Sequence, residues 1–256
     1  MILDKIVETK KEEVAKAKKS RPLAELKEAV KELAPCRNFT AAISGKPCSI
    51  IAEVKCASPS RGRLIENFDP PVLARIYEEN GAAAISVLTD EKYFQGKNDY
   101  LTQIKKKVDL PLLRKDFIID EYQVYQSLII GADAVLLIAA VLGDKLRDFI
   151  ALCRDLGLYQ LVEVHTRAEL DSALESSPEI IGINNRNLDT FVTDINTCRE
   201  LARFIPPGRI VVAESGIHER ADIEMIKTSG ISVFLIGEAL VTAPDMGAKL
   251  RELRGE

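Results

Sequence analysis

Strand–helix alternation, eight times over, predicts an α/β chain closed into a (β/α)8 TIM barrel with an N-terminal helical extension. Apolar, β-branched-rich runs recur at intervals of roughly 21 to 35 residues. They are SIIAEV (49–54), AISVLT (84–89), PLLRKDF (111–117), AVLLIAA (134–140), YQLVEVH (159–165), IIGINNR (180–186), RIVVAES (209–215) and VFLIGEA (233–239). Between them lie stretches of helical periodicity such as PVLARIYEENGA and GDKLRDFIALCRDLG, several ending in a glycine suited to a helix C-terminus (Gly81, Gly131, Gly157, Gly230). Strands linked by helices form right-handed parallel units buried on both faces, and eight such units favour closure. An open doubly wound sheet fits less well, because EVKCASPSRG follows the first run where a G-x-G-x-x-G turn would be needed.

Residues 1–48 precede the first run. LDKIVETKKEEVAKAKKS and PLAELKEAVKEL read as two charged amphipathic helices, expected to pack on the barrel (49–256) as an extra layer and not to form a separate partner-binding arm. The chain of 256 residues carries 35 Lys+Arg against 39 Asp+Glu, a net charge of −4, which argues against nucleic-acid binding. The longest apolar run, Ala134 to Leu142, is nine residues, short of the ~18 that a membrane span needs. The charged N-terminus has no apolar signal region. Five cysteines without C-x-x-C spacing, beside two histidines, make a disulfide framework or zinc site a poor reading. A cytoplasmic, metal-free protein is expected.

Polar residues interrupt the runs at their C-terminal ends, where barrels of this kind keep their chemistry. Glu53 and Lys55 close the first run, Lys115 the third, Glu163 the fifth, Asn184 and Arg186 the sixth, and Glu214 the seventh. Alternation puts Glu53 and Lys55 on one face, likewise Asn184 and Arg186. Three acids and three bases thus converge on one mouth, an arrangement that tunes proton donors and acceptors. Ser215-Gly216 and Gly237-Glu238, after the last two runs, mark a phosphate site in which glycine lets backbone N–H groups approach an anion. Ser58-Pro59-Ser60-Arg61-Gly62 reads as a basic lid loop, with Arg61 above the phosphate. His165 reads as an oriented rim residue more than as an acid or base. Cys56 falls on the face opposite Lys55, packed against a helix.

The motifs EVKCASPSRG, SVLTDEKYFQG, LLRKDFIID, LVEVH, IGINNRNL, VAESGI and FLIGEAL resemble the strand signatures of the indole-3-glycerol phosphate synthase family, in the family's order. The helical extension is similar too, so the resemblance spans essentially the whole chain. It implies conversion of 1-(2-carboxyphenylamino)-1-deoxyribulose 5-phosphate into indole-3-glycerol phosphate, CO2 and water in tryptophan biosynthesis, without cofactor or metal. It implies a small-molecule sugar phosphate as the only ligand and a monomer or weak homodimer. On this resemblance Lys115 is the general acid toward the ketone and Glu163 the base of dehydration. Lys55 pairs with the anthranilate carboxylate, and Glu53 holds the lysines. Asn184, Arg186, Glu214 and Ser215 position the substrate. Ser58, Gly216, Gly237 and Glu238 form the phosphate site, and Phe94, Phe117, Leu136 and Leu188 surround the aromatic ring. The chain departs from the pattern at Cys56, where lysine is more usual, at Asn187 in place of an aspartate, and at Glu238 in place of a serine. The Glu238 carboxylate is expected to turn away from a bound phosphate.

Two other readings compete. Phosphoribosylanthranilate isomerase, or another sugar-phosphate barrel isomerase, would share the phosphate site but needs neither the lysine pair nor the N-terminal helices. A non-catalytic phosphate-binding barrel would have no use for six convergent charges.

Overall fold

The computed structural model describes residues 2–59, 61–187 and 192–256. Eight strands form a closed parallel barrel: β1 (Ser49–Val54), β2 (Ala84–Leu88), β3 (Leu112–Lys115), β4 (Ala134–Ile138), β5 (Tyr159–Val164), β6 (Ile180–Asn184), β7 (Ile210–Glu214) and β8 (Val233–Ile236). Each pairs with its neighbours in sequence, and Ser49 to Ala52 of β1 align with Val233 to Ile236 of β8 to close the ring. Every strand lies inside one of the eight apolar runs. The fourth run is longer than its strand because its last residues wind into a helical turn, Ala139–Leu142.

Alternation divides the strand side chains between two apolar cores. Ile51, Leu113, Leu136, Leu161, Val212 and Leu235 fill the barrel. Ile50, Val87, Leu137, Val162, Ile183 and Phe234 pack outward beneath the helices. Leucine, isoleucine and valine on both faces explain why the strands read as continuous apolar runs.

The helices before β1 are α1 (Ile2–Ser20), α2 (Leu23–Ala29) and α3 (Phe39–Ile43). The expected second helix stops at Ala29 and tightens into a 3-10 turn, Val30–Glu32. The third helix had no counterpart in the sequence reading. Asn38 caps it by accepting from the Ala41 N–H at 2.8 Å. Phe39 and Ile43 are fully buried with Ala83, Ala84 and Val233, so α3 plugs the barrel at its N-terminal end. At the opposite end Ile6 of α1 joins Phe117 and Ile138. Val14 and Leu26 meet Tyr122 and Tyr125 of the helix Glu121–Ile129 on the flank. The segment therefore runs along the barrel from mouth to base. Among the described residues no helix is long and apolar enough to cross a membrane.

One ion cluster pins α1 to the mouth. The Lys10 side chain, 3% exposed, lies 2.9 Å from Asp90, 3.0 Å from Asp116 and 2.8 Å from Glu13. Burial alone would lower its pKa; the carboxylates of Asp116 and Asp90 outweigh that and raise it. Removing one partner of such a group leaves buried charge unpaired. Lys10→Met is expected to lower unfolding free energy by about 3 kcal/mol, the low end for a broken buried pair, because Arg114 still faces Asp116 at 3.0 Å. Urea denaturation checks this, and an unchanged midpoint would show that the cluster does not hold α1.

Candidate active site

The C-terminal ends of the strands surround one cavity. Of the residues expected at the site it is lined by Glu53, Lys55, Phe94, Lys115, Phe117, Leu136, Glu163, Asn184, Arg186, Glu214, Ser215, Gly216, Gly237 and Glu238. Ile2, Leu3 and Ile6 of α1 and Asp116 also line it, and the sequence reading had not placed them there. Two expected positions behave differently. Leu188 lies outside the described residues, as does Ser60 of the loop after β1. Ser58 does not line the cavity: it is buried in a short antiparallel hairpin, Ala57–Ser58 with Gly62–Arg63, and its Oγ accepts the Arg61 N–H at 3.3 Å. It shapes the loop.

The centre of the mouth is an ion cluster built by three non-adjacent strands. Lys115 on β3 reaches Glu163 on β5 at 2.8 Å and crosses to Glu214 on β7 at 3.2 Å. Burial alone would lower the pKa of Lys115, but the carboxylates of Glu163, Glu214 and Glu53 outweigh it and hold the ammonium charged. Of the two coupled carboxyls, Glu163 is kept ionised: burial pushes its pKa up, and Lys115 and His165 pull it down further. Glu214 is pushed up by burial and by the charge of Glu163, against the pull of Lys115, so it is the member that holds a proton more readily.

Glycines make this crowding possible. A Cβ at Gly182 of β6 would collide with the Glu214 carboxylate, and one at Gly237 would lie 2.5 Å from Glu53 Oε1. Gly237 thus has a steric reason beyond anion binding. After β7 the chain turns through two left-handed residues, Ser215 and Gly216 (φ 66° and 75°). A non-glycine residue held there is strained, as often occurs at a functional turn. Asn185, missed in the sequence, locks this turn: its amide N–H donates to the Ser215 carbonyl at 3.0 Å, and its Oδ1 accepts from Cys198 N–H at 2.9 Å.

Lys55 sits just past β1, 3.4 Å from Glu53 and with its ammonium 5.8 Å from the centre of the Phe94 ring. The Phe94 and Phe117 rings tilt together at 6.1 Å. A cation beside an aromatic wall suits a carboxylate-bearing ring. Cys56 is buried as expected and points away from Lys55 toward Gln95, beside the short helix Glu91–Phe94. Burial pushes its thiol pKa up, away from nucleophilic use.

At the other side of the mouth the Glu238 carboxylate, expected to turn away from a bound phosphate, faces Arg61 at 3.0 Å and Arg186 at 3.6 Å within the cavity wall. Two guanidinium groups offset its charge, which is why a carboxylate can stand there. His165, read as an oriented rim residue, is absent from the lining and is held by Glu169. Among the described residues no group of three or more His, Cys, Asp or Glu side chains could hold a metal ion.

A model of the indole-3-glycerol phosphate synthase family matches residues 3–253. The chain belongs to that family. It is 49% identical over 256 residues to the indole-3-glycerol phosphate synthase of Alkaliphilus metalliredigens, covering 99% of this chain and 98% of that one. It is 50% identical over 242 residues to that of Chlorobium chlorochromatii, covering 93% and 94%. Among solved structures it resembles an N-acetylmannosamine-6-phosphate 2-epimerase from Clostridium perfringens (TM-score 0.64, 16% identity, 85% of this chain and 96% of that one). It also resembles a 3-hexulose-6-phosphate synthase from Salmonella typhimurium (TM-score 0.65, 13% identity, 81% and 97%). At such identities these two show the barrel alone. As an indole-3-glycerol phosphate synthase the enzyme is a carboxy-lyase of tryptophan biosynthesis acting on a sugar phosphate.

Proposed function

We propose that Lys115 and Glu163 divide the proton transfers of this reaction between them, with Lys55 and the loops after β7 and β8 anchoring the two ends of the substrate. The observation that carries this is the Lys115 ammonium held between two buried carboxyls at the mouth, 2.8 Å from Glu163 and 3.2 Å from Glu214. Ring closure requires an aromatic carbon to attack the substrate ketone. The carbonyl oxygen takes the electron pair and needs a proton, which Lys115 gives while its charge stabilises the developing alkoxide. CO2 then leaves the attacking ring carbon, and its bonding electrons restore the ring. Finally the new hydroxyl takes a second proton from Lys115, whose ammonium solvent has restored, and departs as water while Glu163 removes the neighbouring C–H proton to form the indole double bond.

The flexible sugar chain must fold so that carbon meets carbonyl, which anchoring at both ends achieves. Lys55 takes the ring carboxylate against the Phe94–Phe117 wall, with Leu136 and Ile6 packing the ring. Glu53 orients Lys55. Arg186, Ser215, Gly216 and Gly237 take the phosphate, and Asn184 fixes the Arg186 backbone by accepting its N–H at 3.0 Å. We further propose a cytoplasmic monomer or weak homodimer in which residues 1–48 form a fixed outer layer of the barrel. Incubation with 1-(2-carboxyphenylamino)-1-deoxyribulose 5-phosphate should release CO2 together with indole fluorescence. CO2 without the indole signal, or neither, would count against the reading.

Glu238 yields a sharper expectation. In the resting mouth it occupies Arg61 and Arg186, and a phosphate must compete with it. Glu238→Gln removes the competing charge, so inorganic phosphate should inhibit about three- to tenfold more tightly, on the order of 1 kcal/mol for a partly exposed pair. Steady-state inhibition measures this. Equal or weaker inhibition would place the phosphate out of reach of that carboxylate.

A further inference from the structure

Outside the cavity lining lies a histidine that touches the reacting base and is itself tied down. His165 follows Glu163 by two residues, just past the end of β5, so both lie on the same side of the chain. Its side chain is 7% exposed, with Nε2 3.3 Å from Glu163 Oε1. The opposite oxygen of that carboxylate, Oε2, is the one held by Lys115 at 2.8 Å. Glu163 thus has a charged neighbour at each end of its carboxylate, an ammonium hydrogen-bonded to one oxygen and an imidazole at ion-pair distance from the other.

The imidazole is anchored from behind. Glu169, in the first turn of the helix Arg167–Glu175, accepts the His165 backbone N–H at 2.8 Å and lies 3.1 Å from Nδ1 with the same oxygen. Its other oxygen takes the Thr166 hydroxyl at 3.1 Å, while Thr166 caps the helix through the Glu169 N–H at 3.2 Å. The groups facing His165 are Glu163 on its own strand and Glu169 on the following helix. Lys115 on β3 acts on it through Glu163. The helical turn Ala139–Leu142, packed against both β5 and that helix, presents only apolar side chains. The Glu169 oxygen against Nδ1 selects a tautomer or charge state with a proton on Nδ1, and fixes the ring plane that meets Glu163.

We propose that His165 is the positioning residue of the base, holding the Glu163 carboxylate in the orientation that takes the proton during dehydration, with Glu169 as its anchor. Without the imidazole, Glu163 has one firm partner. It can then swing both oxygens onto Lys115, turning acid and base into a closed ion pair and taking the base out of line with the C–H it must reach. A misplacement of this kind costs rate and leaves binding intact. The favourable charge on the ring adds to the hold, since imidazole between two carboxylates is kept protonated despite burial.

The proposal rests on Glu163 acting as the base. The test is single-turnover analysis of His165→Ala with 1-(2-carboxyphenylamino)-1-deoxyribulose 5-phosphate, following CO2 release and indole fluorescence separately. Dehydration should slow about tenfold, with CO2 release and KM within about twofold of the parent. His165→Gln, whose amide can reach Glu163 from the place of Nε2, should recover most of that loss, and Glu169→Gln should slow the same step about threefold. In a Glu163→Gln background His165→Ala should add nothing, since the residue it orients is already disabled. Equal slowing of both steps, an unaffected dehydration rate, or a full further loss in the Glu163→Gln background would overturn the role of His165. If Glu163→Gln alone dehydrates at the parent rate, the assignment of the base fails and His165 falls with it. If Glu163→Gln is slow while His165→Ala is fast, only the positioning role fails.

Discussion

Lys115→Ala is expected to lower kcat at least about 10²-fold with KM changed far less, the size of a lost general acid. In the proposed mechanism the residue protonates the alkoxide, and among the described residues it bridges the two carboxyls at the centre of the mouth, Glu163 and Glu214. Its pKa lies above the ordinary value because carboxylates outweigh burial, so the ammonium is fully present at neutral pH. Those same carboxylates would make it a reluctant donor if nothing else changed. The developing alkoxide is a stronger base than either, so the proton moves as charge builds on oxygen. Lys115→Arg should not rescue, because guanidinium does not give up its proton in a protein. Removing the ammonium also strands Glu163 and Glu214 together, and two such carboxyls then share one proton. Some loss of stability accompanies the change, so turnover is best compared below the onset of unfolding. Parent-like turnover in Lys115→Ala would remove this residue from the chemistry.

How much of this could be read in the sequence follows from the range of each cause. The barrel was legible because strands buried on both faces write continuous apolar runs, and all eight strands fall inside them. Helix α3 was not, because Phe39–Ile43 is too short to show a period and exists through its burial at the barrel floor. The charged mouth was legible because a period of two sorts strand residues by face, which put Glu53, Lys115, Glu163 and Glu214 together from residues far apart in the chain. That rule ends where the strand ends. Asp116 should point opposite to Lys115, yet the chain leaves β3 at Lys115, and Asp116 both lines the cavity and grips Lys10. Gly182 carried no signal, since its reason is a neighbour's carboxylate on the next strand. The partners of Glu238 were hidden for a related cause. Its orientation depends on Arg61 and Arg186, which arrive from the loops after β1 and β6, and no local pattern couples those positions. The hairpin that buries Ser58 is a pairing visible only in space.

Glu163→Gln should separate the two chemical halves of the reaction. The amide keeps the size of the carboxylate and can still meet Lys115 and His165, but it cannot accept a proton. Dehydration should slow by about 10²-fold, while ring closure and loss of CO2 proceed. The early steps survive because Lys115 does not lose all of its company. With Glu163 neutral, the like charge that helped to raise Glu214 disappears, Glu214 ionises more readily, and it becomes the counter-ion of Lys115 at 3.2 Å. Lys115 thus keeps a charged partner, and its ammonium remains in place to donate in ring closure. Quenched single turnovers should therefore show CO2 released near the parent rate, a species one water heavier than the product, and indole fluorescence rising slowly behind it. If CO2 and fluorescence slow in step, Glu163 serves the first proton transfer by holding Lys115. If neither slows, the proton of the last step goes elsewhere, and Glu214, the carboxyl poised to take up the charge, is the side chain to test next.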